Sequence, residues 1–149
     1  MAAGAWTVYN EAKKYIGNGT LKLDTAKRIT LHTSASNANT ATLSIFSELT
    51  SEVTSGNGYS SSGKSLGTIA WTQGTSAGQY KFDVTGGDPI WTGTGGTIAN
   101  IKTAVISNTS GGASGKLLCR SVLTSTQFTL ASGNTMQIQM ATAGILTLA

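Results

Sequence analysis

Charge is scarce in this chain. Asp, Glu, Lys and Arg make up 11% of its 149 residues, against about 25% in an ordinary soluble domain. There is one cysteine, one proline and one histidine. A lone Cys119 excludes an intrachain disulfide and a cysteine metal centre. A lone His32 on the polar side of its strand predicts an exposed structural residue. A serine triad would need it beside an acid and a positioned serine, and no nucleophile elbow is expected. Six acidic residues are too few for a calcium loop, which needs several close carboxylates.

Long apolar runs are also missing, and none approaches the roughly 18 residues that a membrane helix requires. Met1 to Ala5 is uncharged and Asn10 to Lys14 is polar, so no secretory leader is expected. Synthesis in a cytoplasm, without secretion, is the expectation. Asn18-Gly19-Thr20 and Asn108-Thr109-Ser110 then read as turns rather than glycosylation sites. The formal charge of +4 is spread along the chain, with only Lys13-Lys14 and Lys27-Arg28 adjacent. Nucleic-acid modules cluster their basic residues, so no nucleic-acid partner is expected.

What is abundant is hydroxyl and glycine: 24 Thr, 17 Ser and 19 Gly. With 39% hydrophobic residues the chain is too apolar to be disordered. Thr on strand faces and Gly in turns is the remaining solution. Thr7 to Ile16 reads as one short helix, capped by Thr7 and stopped by Gly17-Asn18-Gly19. After Gly19 the apolar period becomes two: Leu21 and Leu23; Ile29 and Leu31; Tyr80, Phe82 and Val84; Met136, Ile138 and Met140. Further strands are expected over 65–71, 89–91, 97–106, 116–123, 127–130 and 144–148. Residues 35–53 read as a long loop with a short helical turn near Phe46.

The predicted fold is all-β: a β-sandwich or jelly roll of about eight or more short antiparallel strands with one N-terminal helix. Residues 1–149 form one domain in this reading, with 1–19 as a helical segment or arm.

Gly58 to Ser65 spells the Walker A pattern. A phosphate loop lies between a buried strand and a helix, whereas here polar loop precedes and strand follows, so no nucleotide is expected. Asp83 and Asp88, or Glu48 and Glu52, could be imagined as a glycosidase pair. The plainer readings are a strand's outer face, a Gly-Gly-Asp-Pro turn and a solvated loop face. Trp71, Trp91 and Cys119 read as core. Trp6 reads as packing on the body or on a neighbouring copy. No catalytic residue, cofactor or metal is expected.

Several segments together resemble a family of small virion proteins of tailed bacteriophages. They are Ala3 to Asn10, Tyr15 to Thr20, Leu31 to Ser34, Glu52-Val53 with Gly56 to Tyr59, Ile90 to Thr92, Ala104 to Ile106, Gly133 to Met136 and Ala143 to Leu148. The resemblance implies a virion structural protein, most like a capsid cement or decoration protein. Its partners would be the major capsid protein and copies of itself, as a homodimer or homotrimer, on the capsid surface. The alternative is a tail, neck or fibre component, with glycan or host-receptor binding as one form of it. Trp6, Tyr9, Tyr15, Phe46 and Tyr59 are the expected interface residues, drawn from the N-terminal segment and the 35–59 loop.

Overall fold

The structure, a computed structural model, describes residues 4–74, 76–140 and 144–148. Ala3 and Ala143, at the ends of two of the resembling segments, lie outside these residues. Along the described chain run β1 (Thr7–Val8), α1 (Asn10–Gly17), β2 (Lys27–His32), β3 (Lys64–Ser65), β4 (Ile69–Gln73) and β5 (Tyr80–Val84). Then come β6 (Ile90–Thr92), β7 (Ile98–Ile101), β8 (Thr103–Asn108), β9 (Leu117–Val122), β10 (Phe128–Leu130), β11 (Thr135–Gln137) and β12 (Leu146–Leu148). Single 3-10 turns form at Phe46–Glu48 and Gly112–Ser114. The protein is all-β with one short helix, as the period-two pattern requires.

Among the described residues every pairing between these strands is antiparallel. The largest sheet has the order β1-β9-β8-β2-β3, and a second has the order β12-β5-β4. Two-stranded ribbons join β7 to β10 and β6 to β11. One cluster of buried side chains draws on all four, including Ile29, Val105, Phe82, Trp91, Ile98 and Met136. Each large apolar side chain so buried contributes about 1.5–3 kcal/mol.

Several elements differ from expectation, each for a local reason. Thr7 does not cap the helix, because Thr7 and Val8 pair with Arg120 and Cys119 as an edge strand. The cap position passes to Tyr9, whose N–H is held by the Leu118 carbonyl at 3.1 Å. Leu21 and Leu23 form no strand; the turn is gathered around the Lys27 ammonium, which donates to the carbonyls of Lys22 at 2.7 Å and Thr25 at 2.6 Å. The expected strand over 65–71 breaks at Gly67, where a Cβ would stand 2.8 Å from the Gly86 Cα. The one expected over 97–106 divides at Lys102, whose N–H bonds the His32 carbonyl at 2.9 Å as the chain passes between sheets. Met136 and Ile138 are buried, but β11 ends at Gln137.

Candidate interaction surface

The two regions expected to contact a neighbour contact each other instead. Tyr9 is fully buried and its hydroxyl donates to the Ala38 carbonyl at 2.7 Å. Tyr15, half-buried, shares a hydrogen bond with the Ser44 hydroxyl at 2.8 Å, and Lys116 Nζ lies 4.6 Å from its ring centre. The Asn10 N–H bonds the Ala41 carbonyl at 2.9 Å. Phe46 lies under the Arg28 guanidinium, 3.8 Å from the ring centre, and its N–H bonds Gly115 at 2.8 Å. Tyr59 is buried; its hydroxyl accepts from the Leu31 N–H at 3.0 Å and donates to Glu52 at 2.6 Å. Tyr9 and Tyr59 are therefore core residues, not exposed contacts, because a ring and a hydroxyl fasten the loop and helix more effectively from inside. Burial pushes both phenols up from their ordinary pKa, with the Glu52 carboxylate adding to the effect at Tyr59. Trp6 alone of the five remains half-exposed without a polar tether, its indole N–H having no hydrogen-bond partner among the described residues.

The long loop also covers the polar side of β2. His32, expected to be exposed, is fully buried. Its Nδ1 faces the Thr50 carbonyl at 3.3 Å, so Nδ1 carries the proton, and Nε2 lies 3.0 Å from the Thr30 hydroxyl. Burial lowers its pKa to about 4, the Thr50 bond opposing. Arg28 is spent on the Ser107 hydroxyl at 3.1 Å and the Gly112 carbonyl at 2.7 Å. Lys27 is buried as well, and its pKa is lowered to about 8 by desolvation, partly offset by Asp24. These groups hold backbone together rather than meeting solvent.

The Walker-like loop has the wrong geometry for phosphate. Its Lys64 and Ser65 form β3, not the start of a helix. Its amides are already engaged: Tyr59 N–H with Gly56 at 2.9 Å, Ser62 N–H with Glu52 at 2.8 Å, and Gly63 N–H with Ser60 at 3.0 Å. The Glu52 carboxylate thus stands where an anion would have to sit. The sequence carries two Gly-x-Ser-x-Gly strings, Gly63 to Gly67 and Gly74 to Gly78. The first has its serine in β3 with strand β4 next in the chain, and the second joins antiparallel β4 and β5. Neither leads a strand into a helix as a nucleophile elbow does, and Thr75 lies outside the described residues.

The acidic pairs serve the backbone too. Glu48 accepts from the N–H groups of Ser44 at 2.6 Å and Ile45 at 3.3 Å, more than the solvated face expected of it. Asp83 pairs with Lys81 at 3.0 Å, and Asp88 accepts from the Met140 N–H at 2.9 Å. Cys119 is buried and desolvation raises its thiol pKa. Trp91 is core, whereas Trp71 is half-buried. Among the described residues no group of three or more His, Cys, Asp or Glu is placed to hold a metal ion, and no helix is long and apolar enough to cross a membrane.

What faces solvent on the strands is nearly uncharged. The exposed described positions are Thr7, Lys64, Ser65, Thr72, Gln73, Tyr80, Ile90, Thr92, Ala99, Asn100, Val122, Thr129, Thr135, Gln137 and Thr147, and Lys64 is the sole ion among them. Ile16 lies between two openings, one of about 490 Å³ walled by Leu21, Leu23 and Trp71, the other of about 260 Å³ walled by Val8, Lys13 and Leu146. Compared with known proteins, the chain matches no family model, no curated protein and no solved structure.

Proposed function

We propose that this protein is a structural component of a tailed-bacteriophage virion, a capsid cement or decoration protein of sandwich or jelly-roll type. It would bridge neighbouring major-capsid subunits on the outside of the shell, alongside copies of itself, without catalysis or cofactor. The observation that carries this reading is the nearly ion-free set of exposed strand positions, Thr72, Thr92, Thr129, Thr135 and Thr147 among them. A hydroxyl-rich face can be covered by another protein without stripping water from charges, which costs several kcal/mol per unpaired ion. Interface centres are depleted of charge for that reason. The titratable groups most suited to chemistry, His32 and Cys119, are buried, and the acids near the loops cap backbone amides. Weak contacts repeated by shell symmetry would add to a firm hold.

The test is to add purified protein to heads prepared without it. Saturable binding and greater resistance of the heads to heat are expected; failure to bind would remove the proposal. In the same assay Trp6→Ala should lower retention several-fold, and unchanged retention would exclude Trp6 as a contact.

A further inference from the structure

Strand β4 is an edge strand, with β5 as its one sheet neighbour among the described residues. The bonds from Thr85 N–H to the Thr68 carbonyl and from Gly74 N–H to the Gln79 carbonyl, both 2.7 Å, set the phase of the β4–β5 ladder. Ala70 and Thr72 therefore exchange hydrogen bonds with Asp83 and Lys81, while Ile69, Trp71 and Gln73 turn their N–H and C=O groups outward. Natural edges are usually blunted by lysine, proline, a bulge or an inward charge. The segment Ile69-Ala70-Trp71-Thr72-Gln73 has no charge and no proline, and its register with β5 is unbroken. Trp71 lies on the same side of the sheet as buried Phe82, yet is itself only half-buried, because the opening of about 490 Å³ lies beside it.

We propose that β4 pairs antiparallel with β4 of a second copy about a two-fold axis at Trp71. The outward set is self-complementary in that register. Ile69 faces Gln73 of the other copy, Trp71 faces Trp71, and every outward N–H meets an outward C=O. A shift in register leaves some of these groups unmatched, and the uncharged edge offers nothing to select a charged partner over its own copy. The pairing joins two three-stranded sheets into one and covers the β4 edge of each copy. It also brings each Trp71 to the mouth of the other copy's opening, where Ile16, Leu21 and Leu23 supply apolar wall. A short strand pair covers less than the roughly 1,600 Å² of a standard stable interface, so the free dimer forms at micromolar concentrations rather than below. The inference deepens the self-association part of the proposed virion role and rests on that role only for its use.

Sedimentation of the full chain over a range of micromolar concentrations tests it, and a monomer–dimer equilibrium is expected. Thr72 is exposed and stands diagonally across the axis from its own copy, within reach of long side chains. Thr72→Lys and Thr72→Glu should each weaken the dimer about tenfold by like-charge repulsion, and an equal mixture of the two should restore it. Gln73→Pro removes an outward donor and no β5 bond, and should leave monomer, with circular dichroism reporting that the fold persists. A wild-type monomer at every concentration would overturn the inference. So would a dimer indifferent to both Thr72 substitutions, or a mixture no tighter than its parts. Head binding is read separately: a monomer that still binds heads overturns the pairing alone, and a dimer that does not bind them overturns the virion role alone.

Discussion

Two buried side chains carry much of the loop's attachment. The Tyr59 hydroxyl joins β2 to Glu52, which also holds the Ser62 amide. Tyr59→Phe keeps the ring but leaves the buried Leu31 N–H and one carboxylate bond unmet. A loss of about 1–3 kcal/mol is expected in urea unfolding, and a change below a few tenths would refute that role. His32 makes a pH prediction of definite sign. Its folded pKa of about 4 lies below the roughly 6.5 of an unfolded chain. The unfolded chain therefore binds a proton that the folded chain refuses. Stability is fully present above about pH 6.5 and falls as pH drops toward 4, by up to about 3 kcal/mol. His32→Gln should flatten that slope in denaturation curves taken across the window; an unchanged slope would assign it to other groups. The sequence could not place His32 correctly, because alternation says which side chains share a face and not whether a distant loop covers it.

Among the elements, strand existence was legible where alternation runs through a paired segment, as at Tyr80–Val84 and Thr135–Gln137, but the same alternation at Leu21 to Asp24 forms no strand. The short helix and its stop at Gly17-Asn18 were legible too. Points where the chain changes sheets were not, since Gly67 and Lys102 act through partners distant in sequence. The same holds for the candidate contacts: Tyr9 and Tyr59 look like free aromatics until the 35–59 loop is seen folded over them. Gly63 illustrates how tightly the adjoining Walker-like loop is seated. Its φ is +70° and a Cβ would fall 2.0 Å from the Ile29 carbonyl oxygen. Gly63→Ala should cost roughly 3 kcal/mol or more. Gly19→Ala, at φ +75° with open space around it, should cost only about 1–2 kcal/mol. Thermal unfolding of the two variants compares them directly, and equal losses would contradict the seating of the Walker-like loop against β2.

At the scale of the whole molecule, low charge has two consequences. Repulsion between copies is no more than a formal net charge of +4 supplies, and wide strand faces can be covered without desolvating ions. Those properties suit the proposed packing role, and they were readable from composition alone; which faces are free was not, because it depends on how the loops lie. The virion reading joins that surface to the resemblance in the turn and strand segments. Its most direct test is the copy number of this protein in purified virions relative to the major capsid protein. A cement role predicts a ratio near one-to-one, or a simple fraction of it repeated over the shell. A handful to a few dozen copies per particle would contradict a cement role and assign the protein to the neck, tail or fibres.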